Sequence, residues 1–357
     1  MRNKNAVVRT RGLPSRQARC PLSIVFMARL LALGLVFSAC ACSPSAAPER
    51  ILGLSTETPV FLGYRVLSGG IMEFSFSRPV SLSCIDFDPP LDTELLEAEL
   101  LDAGGLVRLR FEQGLPGGSR VSADLLVADE EGNTLEVLIP FRTRNDSLPV
   151  LVINEIRTEY SNPRCEFIEL KTSTPGNLGA LRVMTAIEAE PIYEFEPVEV
   201  GEGEYIVLHL RKTDNASLDE TGDDLEASEG YEASGARDFW IPGNTERLRK
   251  TDGIALVDQD GTVLDGIIFS ETSSGSWAKE NLARFAGFLN DAGAWKPSGD
   301  PPCINPSEAF SSQGSTATQT LCRDELVSDS NDPHDWYIAA RNQATPGREN
   351  STKRYEP

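Results

Sequence analysis

The sequence predicts an all-β chain built as two β-sandwiches in tandem, on three observations. Runs about one strand long, rich in aromatic and β-branched residues, recur along the chain. Turn residues separate them, with 29 Gly and 23 Pro in 357 residues. Several runs alternate apolar and polar side chains, the pattern of a strand with one buried and one wet face. The length suffices for two cores of ordinary size.

The first 39 residues read as a secretory signal peptide. Arg2, Lys4, Arg9, Arg11, Arg16, Arg19 and Arg29 give a basic head with no acidic residue before Glu49, and the apolar run Leu30–Phe37 follows. That run is shorter than the ~20 apolar residues a spanning helix needs. Met27 would open a compact signal of its own, so translation from Met27 stays open. Phe37-Ser38-Ala39-Cys40 resembles the lipobox of bacterial lipoproteins. The resemblance implies cleavage before Cys40 and acylation of that cysteine, with Cys42 as the alternative site. Residues 40–55 are then a lipidated tether.

Charge narrows the partners. The whole chain carries a formal net charge of −21, and removal of residues 1–39 takes away seven basic groups and no acidic one, leaving −28. Such a field repels phosphate backbones, so no nucleic-acid partner is expected. It gives no attraction to an anionic membrane surface, which leaves the lipid as the anchor.

Residues 56–146 form the first predicted sandwich. Strands are expected over Pro59–Val66, Ile71–Phe76, Val80–Phe87, Val107–Phe111, Val121–Ala128 and Leu135–Phe141. Met72, Phe74 and Phe76 alternate with Glu73, Ser75 and Ser77, and Val107, Leu109 and Phe111 with Arg108, Arg110 and Glu112. Gly69-Gly70, Gly104-Gly105, Pro116-Gly117-Gly118 and Gly132-Asn133 mark turns. The segments 74–80, 115–118 and 128–134 resemble bacterial Ig-like domains of surface proteins, which implies an Ig-like sandwich.

Arg144–Pro149 reads as a linker, and the chain begins again with Val150–Ile156. Ile153-Asn154-Glu155-Ile156 and Glu166-Phe167-Ile168-Glu169-Leu170 come first, then Val200–Leu208, then the hairpin Gly253–Asp265 turned at Asp260-Gly261. Trp336 and Thr345-Pro346-Gly347-Arg348-Glu349-Asn350 close the series. In this order these segments resemble the lamin tail domain, implying an Ig-like sandwich over residues 149–350. Two insertions depart from the family pattern. Residues 213–238 are acidic and read as a solvated loop. Residues 271–318 hold an expected short helix, Ala278–Leu289, covering a sheet edge.

Five residue groups are candidates for chemistry. His209 lies in a strand-like run and His334 in a polar turn, and no G-x-S-x-G elbow accompanies either. Ser276-Trp277-Ala278-Lys279 spells S-x-x-K without proper companion motifs. Glu166 and Glu169 point to opposite faces of one strand, so Glu155, Glu166 and Glu169 are expected to serve structural roles at strand edges. Asp258 and Asp260, and the acidic loop around Asp219–Glu226, are calcium candidates that lack the twelve-residue loop pattern. Cys303 and Cys322 would close a loop worth ~3 kcal/mol if bridged; zinc is unsupported by any Cys-x-x-Cys or His pair. No catalytic residue, metal or cofactor is expected. The function these readings imply is that of a lipid-anchored protein of the bacterial cell envelope, structural or binding protein or glycan through loops and edges. The alternative is an accessory module of an exported hydrolase or nuclease system, the enzyme being a separate partner.

Overall fold

The computed structural model describes residues 57–91, 93–212, 217–228, 232–233, 235–297 and 303–356. The expected signal peptide and the lipidation candidates Cys40 and Cys42 lie outside the described residues. The fold is all-β, as expected, and no helix among the described residues is long and apolar enough to cross a membrane.

Seven strands make the first core: β1 (Phe61–Ser68), β2 (Ile71–Phe76), β3 (Ser81–Asp88), β4 (Leu95–Leu101), β5 (Leu106–Phe111), β6 (Arg120–Ala128) and β7 (Thr134–Arg142). They pair in two antiparallel sheets, β1-β2-β5-β4 and β3-β6-β7. Inward-facing Met72, Phe74, Val107 and Leu109 meet Val121, Leu125, Val127 and Phe141 of the opposite sheet. Truncating a fully buried ring such as Phe74 would cost about 3–5 kcal/mol. On the outer face of the four-stranded sheet Arg65, Glu73, Arg108 and Glu99 lie opposite one another strand by strand. Their alternating charges fix the register.

The second core has β8 (Leu151–Arg157), β9 (Phe167–Thr172), β10 (Gly176–Asn177), β11 (Arg182–Thr185), β12 (Tyr193–Glu194), β13 (Glu199–Val200) and β14 (Tyr205–His209). It continues with β15 (Arg237–Trp240), β16 (Asp252–Val257), β17 (Val263–Ser270), helix α1 (Glu280–Asp291), β18 (Phe310–Ser311), β19 (Leu321–Arg323) and β20 (Trp336–Ile338). A six-stranded sheet, β15-β14-β9-β8-β19-β20, packs on a five-stranded one, β12-β11-β16-β17-β18. β16 is buried along its whole length because α1 covers the second face of its sheet. Gly253 and Gly266 let α1 approach: a methyl group at either would stand 2.6 Å from Phe285 or 2.5 Å from Leu289. The helix therefore lies on a sheet face, where an edge position was expected.

Two further expectations are corrected. The described part of the acidic insertion is folded, since β15 pairs in parallel with β14, Ser217 and Glu220 are buried, and Arg237 donates to the carbonyls of Glu220 and Gly222. The expected linker is a fixed junction. Buried Asn145 donates through Nδ2 to the carbonyls of Asn177 (2.8 Å) and Gly179 (2.7 Å). Gly118, at φ +76, stands so close that a methyl group there would meet Gly179 C at 2.3 Å. Arg120, Arg142 and Arg144 add ion pairs to Glu194, Glu196 and Asp260 across the same contact.

Candidate functional site

The polar centre of the second core grows from a register shift. Ile153 pairs with Leu170 and Glu155 with Glu169, so Asn154 is the extra residue of a bulge in β8. The bulge puts Ile153 and Ile156 both in the apolar core and turns Glu155 to the same outer face as Glu169. That face is covered by the C-terminal segment. Thr345 N–H donates to both Glu155 oxygens (3.1 and 3.0 Å), Gly347 N–H donates to Glu169, and Asn350 Nδ2 donates to the carbonyls of Asn154 (3.1 Å) and Arg323 (3.0 Å). Thr320 and Cys322 also donate to Glu155. Asn154 Nδ2 bridges Glu169 (2.8 Å) and Glu325 (3.0 Å), and Lys171 holds Glu325 at 2.6 Å.

Burial pushes both carboxyls up, Glu169 well above the ordinary range because the neighbouring Glu155 charge adds to its own desolvation. Both side chains are wholly buried, so no substrate reaches them. These residues act as a lock on the C-terminal segment. The expected edge roles are thus corrected to the centre of the sheet, and Glu166 is separate, paired with Arg211 at 2.5 Å. A second buried clasp joins the two sheets: Asp265 accepts from Ile153 N–H (2.6 Å) and Arg323 Nη2 (2.7 Å).

The histidines are not brought together. His209 is buried, stacked on Trp240 at 3.8 Å, with Nε2 2.9 Å from Asp238 Oδ1. His334 is exposed and bonded to Asp332 in the turn before β20. Four strand spacings separate β14 from β20, about 19 Å. Ser276 and Lys279 are both exposed at the entrance to α1.

Asp258 Oδ1 accepts the N–H groups of Asp260 and Thr262 in the hairpin turn, with Gly261 at φ +91, and Asp260 pairs with Arg144. Their carboxylates shape a turn and a junction. Among the described residues no cluster of His, Cys, Asp and Glu is arranged to hold a metal. The expected Cys303–Cys322 bridge is absent: both are unbridged. Cys322 is buried in β19 against Glu155, whereas Cys303 is exposed after α1, and sequence spacing carries no information on that separation.

The fold and its polar centre define an all-β sandwich protein whose second core is closed by its own C-terminal residues. Residues 149–338 match the profile of a family described as "protein second domain", more than half of the chain, and the chain belongs to that family. It is 30% identical over 198 residues to an uncharacterized protein of Treponema pallidum (strain Nichols), covering 52% of this chain and 50% of the relative. The chain thus spans about half the length of the curated relative it matches.

Proposed function

We propose that this is a lipid-anchored protein of the bacterial cell envelope. In this reading it presents a non-catalytic, lamin-tail-like sandwich on an Ig-like spacer, as a structural or binding module for protein or glycan. The observation that carries the reading is the meeting of the segments on which the lamin-tail resemblance rests. Asn154-Glu155, Glu169 and Thr345-Pro346-Gly347 through Asn350, nearly 200 positions apart in the chain, interlock by hydrogen bonds. Such a lock closes a binding scaffold and leaves loops and edges free for partners. The fixed junction at Asn145 suits a spacer that holds the second core at a set distance from an anchor.

Labelling cells with radioactive palmitate tests the anchor. The full chain and Cys42→Ser are expected to carry label and fractionate with membranes, and Cys40→Ser to lose both. An unlabelled wild-type protein released into the soluble fraction would overturn the reading.

A further inference from the structure

An open groove of about 570 Å³ lies where the edges of the two sheets of the second core part. Phe310 and Ser311 of β18, Gln313 and Gly314 of the next turn, Tyr337 of β20 and Tyr355 near the chain end line it. Backbone bonds fix Tyr355: its N–H donates to the Ile338 carbonyl at 2.8 Å, and Ala340 N–H donates to the Lys353 carbonyl at 2.9 Å. Its ring lies over Gly314, where a methyl group would stand 3.0 Å from Cε1 and where φ is +85. The Tyr337 hydroxyl donates to the Ser351 carbonyl at 2.7 Å, and the Arg354 guanidinium lies 4.4 Å from the centre of that ring.

The lining holds three aromatic rings, three hydroxyls and a carboxamide, and none of its side chains is charged, in a chain of net charge −21. Among the lining side chains an anionic ligand would find no cation and a cationic one no carboxylate. A peptide adding as a strand needs a free edge. The tail already bonds to the end of β20, and β18 is two residues long. The complementary ligand is neutral, with an apolar C–H face for the Tyr355 ring and hydroxyls for Gln313 and Ser311. We propose that this groove is a subsite for a neutral oligosaccharide, which deepens the binding-module reading above and rests on it.

Calorimetric titration of the full chain with cellotetraose, chitotetraose and maltotetraose tests the subsite. At least one is expected to bind with a Kd of about a millimolar or tighter. Tyr355→Ala and Gln313→Ala should each weaken that binding about tenfold without moving the thermal transition. No binding of any of the three, or undiminished binding by both variants, would overturn the subsite. Acylated protein that binds no sugar sinks the subsite alone, and unacylated wild type that binds sugar sinks the anchor alone.

Discussion

Glu155 and Glu169 are direct cross-strand partners on β8 and β9, both fully buried, and both are held by N–H and O–H donors. No ion pair reaches either one among the described residues, and each carboxyl is shifted upward. Each carboxyl therefore gives up its proton at higher pH in the folded chain than at the ordinary value of 4.5.

This fixes the sign of a pH dependence. A carboxyl raised on folding contributes its stability in full below 4.5 and loses it as pH climbs through the higher folded value. Glu169→Gln keeps the shape without the charge, its amide oxygen still accepting from Asn154 Nδ2 or Gly347 N–H. It is expected to raise stability at pH 8 by about 1–3 kcal/mol and to change little at pH 4.5. Urea unfolding of both proteins at the two pH values measures this; equal stabilities at pH 8 would contradict it.

The junction between the two cores gives a second expectation. Asn145→Ala removes the two donors that satisfy the buried carbonyls of Asn177 and Gly179, at a cost of about 1–3 kcal/mol. Gly118→Ala forces a methyl group against Gly179 at a positive φ. Both variants are expected to split one cooperative thermal transition into two, each core then melting alone. Differential scanning calorimetry shows this directly, and an unsplit transition would mean that the cores are coupled elsewhere.

Legibility of these features differs for physical reasons. β2 was readable to the residue because Met72, Phe74 and Phe76 alternate cleanly with polar neighbours. β4 is not legible in the sequence because Leu95–Leu101 consists of helix formers, and only its pairing with β5 makes it a strand. β15 lay within an acidic stretch whose burial comes from Glu220 and Arg237 bonding to their own loop. Both halves of the Glu155–Glu169 lock stood in the motifs. Their meeting depends on a bulge at Asn154, which a period of two does not reveal. The lone N-E-I triplet followed by E-x-x-E was the available signal.

Cysteine chemistry follows from the absent bridge. Cys303 is exposed, whereas Cys322 is buried and its thiol is pushed well up by desolvation and by Glu155. Maleimide is expected to modify Cys303 in the folded protein and Cys322 only on unfolding, with rates about 100-fold apart. Peptide mapping of the labelled sites reads both rates, and a recovered Cys303–Cys322 peptide would overturn the assignment.

Glu73 supplies the opposite sign to Glu169 in the same molecule. It lies between Arg65 (2.8 Å) and Arg108 (2.6 Å), and the Arg108 hydrogen bond leads in holding its carboxyl below the ordinary range. A lowered carboxyl contributes stability above its unfolded value of 4.5 and loses it as pH falls through the folded one. Arg65 is largely exposed, so solvent screens the pair and the contribution stays near ~0.5–1 kcal/mol. Glu73→Gln is expected to lower stability by that amount at pH 7 in low salt. The loss should shrink at high salt, as exposed charges are screened, and also toward pH 3. Because Glu73 and Glu169 lie in different cores, their effects should add, so a double variant with Glu169→Gln should show the two pH profiles superposed. Urea unfolding across pH 3–8 checks this. A Glu73→Gln loss that persisted unchanged to pH 3 would mean that packing, and not charge, holds the four-stranded register.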